Sequence, residues 1–138
     1  RFQNFELALE FMIDEFRTYN SGVYLRNDSG SQGRAGYQVN IGSGAFKEYC
    51  GGLFLQDWRA TGDEKDEVRR KGEWNALRIL ADGPHFAVDL NGVRVADYTD
   101  PAPDPKHLQK GVLALQTYGA ENHAGWVKFR NIRIRELP

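Results

Sequence analysis

The chain has 138 residues, of which 41% are hydrophobic, so it is long enough for one compact domain and too short for a comfortable second one. Its 18 Lys and Arg nearly balance its 19 Asp and Glu, so no global field favours nucleic acid or an acidic membrane surface. A single cysteine, Cys50, excludes an intramolecular disulfide, and no apolar run reaches the roughly 20 residues of a membrane-spanning helix.

The first predicted element is a β-strand over residues 5–13. Hydrophobic side chains occupy the odd positions from Phe5 to Ile13, while Glu6 and Glu10 fall on even positions. This two-residue period is typical of a strand with one solvated face. The stretches VYLR, YQVNI and GGLFLQDW predict three more short strands, and in YQVNI the side chains of Gln38 and Asn40 share the polar face.

The mixed-charge run 63–71 separates the two halves of the chain and is predicted to be a solvated loop. WNALRIL is the next predicted strand. It is followed by HFAVDLNGVRVADYTD, a predicted hairpin whose Asn91-Gly92 pair suits a type I′ turn. The stretch PAPDP lacks three amide donors and is predicted to cross one end of the domain.

The last two predicted strands are VLALQ and WVKFRNIRIREL. In the final strand the hydrophobic positions change from odd (Val127, Phe129) to even (Ile132, Ile134), which predicts a β-bulge near Arg130-Asn131. The alternative is a strand buried on both sides, in which several cations would need partners.

Short strands with turn signals between them, and no helical period longer than two turns, predict an all-β domain. We expect residues 1–138 to form one antiparallel two-sheet β-sandwich rather than a closed barrel, with little or no helix. Cys50 is expected to be a small buried apolar residue.

The sequence gives little indication of a cofactor or metal. The glycines of GSGAF and YCGGLF lack the lysine and the helix of a phosphate-binding loop. The three histidines His85, His107 and His123 lack zinc-site spacing, so we predict no metal site and no cofactor. The carboxylates predicted on polar strand faces, among them Asp89, show no pattern that forces two of them together, as glycoside cleavage would require.

More suggestive is a group of polar and aromatic residues in otherwise apolar strands. Amides, a guanidinium and flat rings are what a sugar-binding surface uses, because hydroxyls need hydrogen-bond partners and sugar C–H faces pack on rings. The alternative is an ordinary solvated sheet face. The candidate ligand-binding residues are Arg26, Gln38, Asn40, Trp58, Trp74, Gln116 and Tyr118.

Seven motifs in order resemble the 3-keto-disaccharide hydrolase family, formerly a domain of unknown function: NFELALEF, NSGVYLR, GYQVNI, GEWNALRI, LNGVRVADYTD, GVLALQTYG and VKFRNIRIREL. The resemblance covers nearly all of residues 4–137. It implies a concanavalin-like jelly roll, similar to laminarinase-type glycoside hydrolases, and export from the bacterial cytoplasm. Members act on 3-keto-glycosides, in which the keto group acidifies the C2 hydrogen, so that a general base and acid suffice for cleavage by elimination and hydration.

The sequence departs from the family pattern at its acid–base positions. Members usually carry Glu where this chain has Gln38, and usually His where it has Tyr118. An amide does not accept a proton near neutral pH, and a phenol titrates near 10. Members also usually begin with further strands upstream of NFEL, so the resemblance implies a domain that lacks its N-terminal strands and has an exposed sheet edge.

Three functional hypotheses follow. The first is a non-catalytic binding or docking module, an accessory subunit of a larger extracytoplasmic complex whose partner is a protein or a carbohydrate. The second is an active 3-keto-glycoside hydrolase or lyase with His123 or Asp89 as the base and Arg26 polarising the keto oxygen. The third is a carbohydrate-binding module that uses Trp58, Trp74 and Gln38.

Overall fold

The computed structural model describes residues 1–15, 19–28, 36–42, 48–117 and 125–138. In these residues ten strands form two five-stranded antiparallel sheets. The strands are β1 Phe5–Ile13, β2 Ser21–Asn27, β3 Tyr37–Ile41, β4 Leu53–Leu55, β5 Asp57–Ala60, β6 Asn75–Asp82, β7 His85–Leu90, β8 Val93–Thr99, β9 Val112–Gln116 and β10 Val127–Glu136. The first sheet has the order β10-β1-β6-β7-β8 and the second sheet the order β5-β4-β3-β2-β9.

This arrangement confirms the predicted antiparallel two-sheet sandwich. Among the residues described, the only helical segment is a 3-10 turn at Pro105–Leu108. It lies on the connection from β8 in the first sheet to β9 in the second, where the proline-rich stretch was predicted to cross an end. Across all the described residues, no helix is long and apolar enough to cross a membrane.

The core between the sheets follows the alternation read from the sequence. The five odd-numbered residues of β1, from Phe5 to Ile13, are at most 3% exposed. They belong to one hydrophobic cluster with residues of the second sheet, including Tyr37 and Val39. Cys50 is also fully buried, as predicted, and burial raises the pKa of its thiol to about 12.

The two local irregularities predicted from the sequence are both present. Asn91 and Gly92, between β7 and β8, have φ values of 50° and 79°, as a type I′ turn requires. In β10 the pairing shifts from Ala8–Arg133 to Glu10–Arg130, which inserts one extra residue and confirms the bulge. The alternative of a strand buried on both sides is wrong, because the cations of β10 are exposed.

The bulge gives β10 one apolar face, but the core does not cover all of it. Ile134 pairs with the buried Leu7 and so faces the same side, yet it is 36% exposed, and Ile132 is 52% exposed. Leu115 of β9 and Trp126, just before β10, are 39% and 38% exposed. Because β9 and β10 are edge strands of their sheets, these four residues define what we term the open side of the sandwich.

The charged run 63–71 is a loop, as predicted, but it is not wholly solvated. Asp63 and Arg69 are each only 5% exposed. The Asp63 carboxylate accepts hydrogen bonds from the backbone amides of residues 67–69, and the Arg69 guanidinium donates to Asp66 and Glu15. Buried charges are tolerated here because each has several hydrogen-bond partners.

Candidate functional site

The outer face of the second sheet carries two rows of side chains. Directly opposite residues of antiparallel strands share a face, so the strand pairing defines the rows. One row crosses all five strands and comprises Ala114, Tyr24, Gln38, Phe54 and Trp58. The second row comprises Gln116, Gly22 and Asn40. Four of the predicted ligand-binding residues, Gln38, Asn40, Gln116 and Trp58, therefore lie on one face.

Gln38 and Gln116 form an amide pair that bridges β3 and β9 across the intervening β2. The Nε2 of Gln38 donates to the Oε1 of Gln116 at 2.7 Å. Gly22 lies beneath them, and a Cβ at this position would be only 2.3 Å from the Gln38 Nε2. The absence of a side chain at Gly22 thus allows the two amides to meet.

Asn40 has a positioning role in this face, because both ends of its amide are hydrogen-bonded. Its Oδ1 accepts from the Asn20 Nδ2 at 2.8 Å, and its Nδ2 donates to the Tyr49 carbonyl at 3.1 Å. Asn20 also donates to the Glu48 carboxylate. Asn20 and Glu48 lie outside the strands, so the strand alternation carried no signal for them.

Trp58 is held in an aromatic cluster at the β4–β5 end of the face. Its ring centroid lies 5.3 Å from that of Phe54 and 5.2 Å from that of Tyr49, both with edge-on geometry. A Cβ on Gly52 would be 2.8 Å from the Trp58 ring, so a glycine is needed there as well. Tyr24 and Phe54 also belong to this outer face, and the alternation of residues in VYLR and LFL could have revealed them.

A cleft of about 780 Å³ opens beside these rows. Its lining includes Tyr24, Gln38 and Phe54 of the first row, together with Gln56, His107 and Gln109. Asp28 and Lys106 also line it, so the cleft presents amides, aromatic rings and a few ionisable groups. This combination of aromatic rings with several amide and ionisable groups suits a small polar ligand.

His107 comes from the 3-10 turn and is 8% exposed. Its ring meets the ring of Tyr37 edge-on, with centroids 5.8 Å apart. Burial lowers the pKa of His107, so the imidazole is neutral near pH 7. The Tyr37 hydroxyl donates to the Asp100 carboxylate, and this hydrogen bond keeps the pKa of Asp100 below its ordinary value.

Three other predicted site residues are engaged elsewhere. Arg26 borders the cleft, but with φ of 55° its guanidinium is directed to the carbonyls of residues 3 and 83, at 2.5 and 2.7 Å. Trp74 stacks with the Arg130 guanidinium of the first sheet, 3.9 Å from the ring centroid. Asp89 pairs with Arg94, also in the first sheet.

The Arg26 guanidinium is thus engaged with backbone carbonyls at the border of the cleft, and neither Trp74 nor Asp89 lies with the amide pair. Tyr118 and His123 fall outside the described residues. No group of three metal-ligating side chains occurs in the described part of the chain.

The fold and this face together define a jelly-roll β-sandwich with a cleft on one sheet. The chain belongs to the family described as the 3-keto-alpha-glucoside-1,2-lyase-like domain, whose model matches residues 1–135. The resemblance read from the seven motifs is thereby confirmed. No curated protein is similar enough to the chain to count as a match.

Several solved structures share the fold. A "putative glycosyl hydrolase" from Parabacteroides distasonis is 26% identical with a TM-score of 0.70, and the match covers 99% of this chain and 79% of that one. A second protein of that organism, described in the same words, is 17% identical with a TM-score of 0.74, covering 99% and 71%. The carbohydrate binding module CBM66 from Bacillus subtilis is 15% identical with a TM-score of 0.57, covering 97% and 76%. The last two similarities concern the fold alone.

Proposed function

We propose that this chain binds a carbohydrate on the outer face of the second sheet, without proton transfer at Gln38. The observation that carries the proposal is the Gln38–Gln116 amide pair, set in the same face as the Trp58 ring. The family description names a glucoside, and the compared structures include a carbohydrate binding module, which supports a sugar as the ligand.

The chemistry of the amide pair suits recognition of hydroxyl groups. Each carboxamide has both donors and an acceptor, and the bond between Gln38 and Gln116 uses only part of this capacity. The remaining groups can hydrogen-bond a sugar hydroxyl, while the aromatic row offers surface for sugar C–H groups. Because neither amide titrates near neutral pH, this pair binds without exchanging protons.

A glycan array followed by isothermal titration calorimetry of each hit tests the proposal. We expect Gln116→Ala and Trp58→Ala to weaken binding at least fivefold, since each removes about 1 kcal/mol of hydrogen bonding or ring contact. Trp74→Ala is the matched control, because Trp74 stacks with Arg130 of the first sheet. Equal losses in Trp58→Ala and Trp74→Ala, or no glycan binding at all, would contradict the proposal.

Catalysis on a 3-keto-glycoside is the second candidate. It is favoured by the presence of a carboxylate, Asp28, and a neutral imidazole, His107, in the lining of one cleft. Turnover of 3-keto-trehalose is measured with and without divalent metals. Turnover that is abolished by changing Gln38 would refute the non-catalytic proposal. If no turnover is detected either with or without metals, the result would count against an enzymatic function.

For the docking part of the hypothesis, we propose that the open side receives an extended protein segment that alternates apolar and acidic residues. Ile132 and Ile134 present an apolar row along an edge strand, and an edge strand accepts a further strand through its free backbone groups. The opposite side of the same strand carries the cations Lys128 and Arg133, beside Arg130 and Arg135, which are paired with Glu10 and Glu6 of β1. A peptide alternating Val and Glu should bind and one alternating Val and Lys should not. Equal binding of the two would refute the assignment.

We further propose an extracytoplasmic location, which the family resemblance supports, and a role as an accessory subunit of a larger complex, which the amide at Gln38 in place of the family's usual Glu supports. Fractionation of the cells that produce the protein tests the location. Recovery of the full-length protein in the cytoplasmic fraction alone would contradict it.

A further inference from the structure

A half-buried carboxylate, Glu48, lies beside the outer face of the second sheet and forms no ion pair with any described residue. It is tied to this face through the Asn20 Nδ2, which donates to the Glu48 Oε2 at 2.5 Å and to the Asn40 Oδ1 at 2.8 Å. The Glu48 and Asn40 oxygens are therefore separated by no more than the sum of these two distances. A carboxylate held this close to a polar sheet face without a cation is available for a ligand.

The hydrogen bonds determine which atoms each group presents. The Tyr49 carbonyl can only accept, so Asn40 donates its Nδ2 to it and turns its Oδ1 toward Asn20. Both hydrogens of the Asn20 Nδ2 are then used, one for Asn40 and one for Glu48. This bond occupies the Oε2 of Glu48, whereas its Oε1 has no hydrogen-bond partner among the described residues. Oε1 thus remains an acceptor in a fixed position.

A glycine makes room for Glu48 against the strand. Gly42 directly follows β3 and continues the alternation of Gln38 and Asn40 on the outer face. A Cβ on Gly42 would lie 2.8 Å from the Glu48 Cβ and 2.3 Å from the Glu48 carbonyl oxygen. The missing side chain at Gly42 therefore lets residue 48 approach β3 closely, just as Gly22 lets the two glutamine amides meet.

The carboxylate is near enough to the amide pair for one ligand to contact both. Gln38 and Asn40 are two residues apart on the same face of β3, a distance of about 7 Å. Glu48 is joined to Asn40 through a single nitrogen atom, that of Asn20. Neither row of the outer face contains a charged side chain, so Glu48 brings the one formal charge into this set of linked amides.

We propose that Glu48 is a specificity-determining residue of the carbohydrate site, which selects neutral and amino sugars over acidic sugars. The Glu48 Oε1 accepts a hydrogen bond from a hydroxyl or ammonium group of the ligand, and the negative charge repels a ligand carboxylate. This inference rests on the proposed carbohydrate binding and adds to it the charge class of the ligand.

The alternative is a structural role, in which Glu48 only holds Asn20 and thereby Asn40. Glu48→Gln separates the two roles, because the glutamine keeps an oxygen that accepts from Asn20 but carries no charge. Glu48→Asp is the complementary variant, since it keeps the charge on a shorter side chain. Glu73→Gln is the matched control, because it removes the same charge from an exposed residue that precedes β6 of the first sheet.

The experiment measures calorimetric affinities for three methyl α-glycosides, those of glucose, of glucosamine and of glucuronic acid. The measurements are made at about pH 6 and low salt, where the amino sugar is cationic and the uronate is anionic. The wild-type chain should bind the uronate at least about fivefold more weakly than the glucoside, and the amino sugar at least as tightly as the glucoside. Glu48→Gln should bring the uronate to within about twofold of the glucoside, whereas Glu48→Asp and Glu73→Gln should keep the discrimination.

The outcomes distinguish this inference from the proposed carbohydrate binding. If the wild-type chain binds all three probes equally, or if Glu48→Gln keeps the discrimination, the role of Glu48 is refuted and carbohydrate binding stands. If Glu48→Gln lowers all three affinities by the same factor together with the melting temperature, Glu48 is structural and its role in specificity is likewise refuted. If none of the probes binds, both proposals fail.

Discussion

Gly22→Ala is the most direct perturbation of the proposed site, because it adds one methyl group whose three nearest neighbouring atoms all belong to Gln38. The new Cβ would lie 2.3 Å from the Gln38 Nε2 and 3.0 Å from its Cδ, whereas ordinary contact begins at 3.4 Å. The carboxamide must therefore move by about 1 Å, which stretches its 2.7 Å hydrogen bond to Gln116 beyond bonding distance.

The expected effect on ligand affinity is larger than the effect on stability. Loss of one or two oriented hydrogen bonds to the ligand, at about 1 kcal/mol each, corresponds to a 5- to 30-fold weaker Kd. The free energy of unfolding should change by less than about 1 kcal/mol, because alanine is favoured over glycine in a strand by about 0.5–1 kcal/mol and this offsets the lost amide bond.

Calorimetry with 3-keto-trehalose gives the affinity, and urea denaturation gives the stability. Ala76→Val is a suitable control, since Ala76 is an exposed residue of β6 in the first sheet. If Gly22→Ala binds as tightly as the wild-type chain while remaining folded, the amide pair is not part of a binding site.

Three further predictions concern stability. Tyr37→Phe should cost about 1–3 kcal/mol at pH 7, because the Asp100 carboxylate loses its buried donor. Since the hydrogen bond lowers the pKa of Asp100, its contribution is complete above the unfolded pKa near 4 and is lost as the pH falls through the folded pKa. In urea denaturation, the difference in the free energy of unfolding between Tyr37→Phe and wild type should therefore become smaller below pH 4. A difference that does not change with pH would show that it does not come from the hydrogen bond to the Asp100 carboxylate. Gly92→Ala should cost about 1–2 kcal/mol, measured by urea denaturation, because φ of 79° is strained for alanine although a Cβ there meets open space. Asp63→Ala should lower the free energy of unfolding by about 3 kcal/mol in the same measurement, because three backbone amides lose their shared acceptor. A decrease of less than about 1 kcal/mol would show that the Asp63 carboxylate does not stabilise this loop.

Much of the fold was predictable because the relevant signals are local. The period of two in β1 fixes which side chains enter the core, whatever strands β1 pairs with. The Asn91-Gly92 pair determines a type I′ turn through its own backbone preferences. The change of hydrophobic phase in β10 located the bulge for the same reason, since only one extra residue restores the apolar face.

The sequence by itself also determined that Gln38 and Asn40 point away from the core, because they alternate with the hydrophobic residues of β3, although the structure buries both amide side chains as well. It did not determine their partners. Gln116 is 78 residues from Gln38, and the two amides meet only because β2 lies between β3 and β9 and carries a glycine at the crossing point.

The tertiary structure alone decided which candidates share the face. Trp58 and Trp74 are indistinguishable as aromatic residues in the sequence, but Trp58 lies in β5 of the second sheet, whereas Trp74 precedes β6 and stacks with Arg130 of the first sheet. Arg26 has a positive φ and donates to two backbone carbonyls, and His107 lines the cleft because the 3-10 turn between the sheets lies beside β2. Alternation in a sequence specifies which side of a strand a residue occupies, whereas the neighbours on that side depend on long-range strand pairing, which no local pattern encodes.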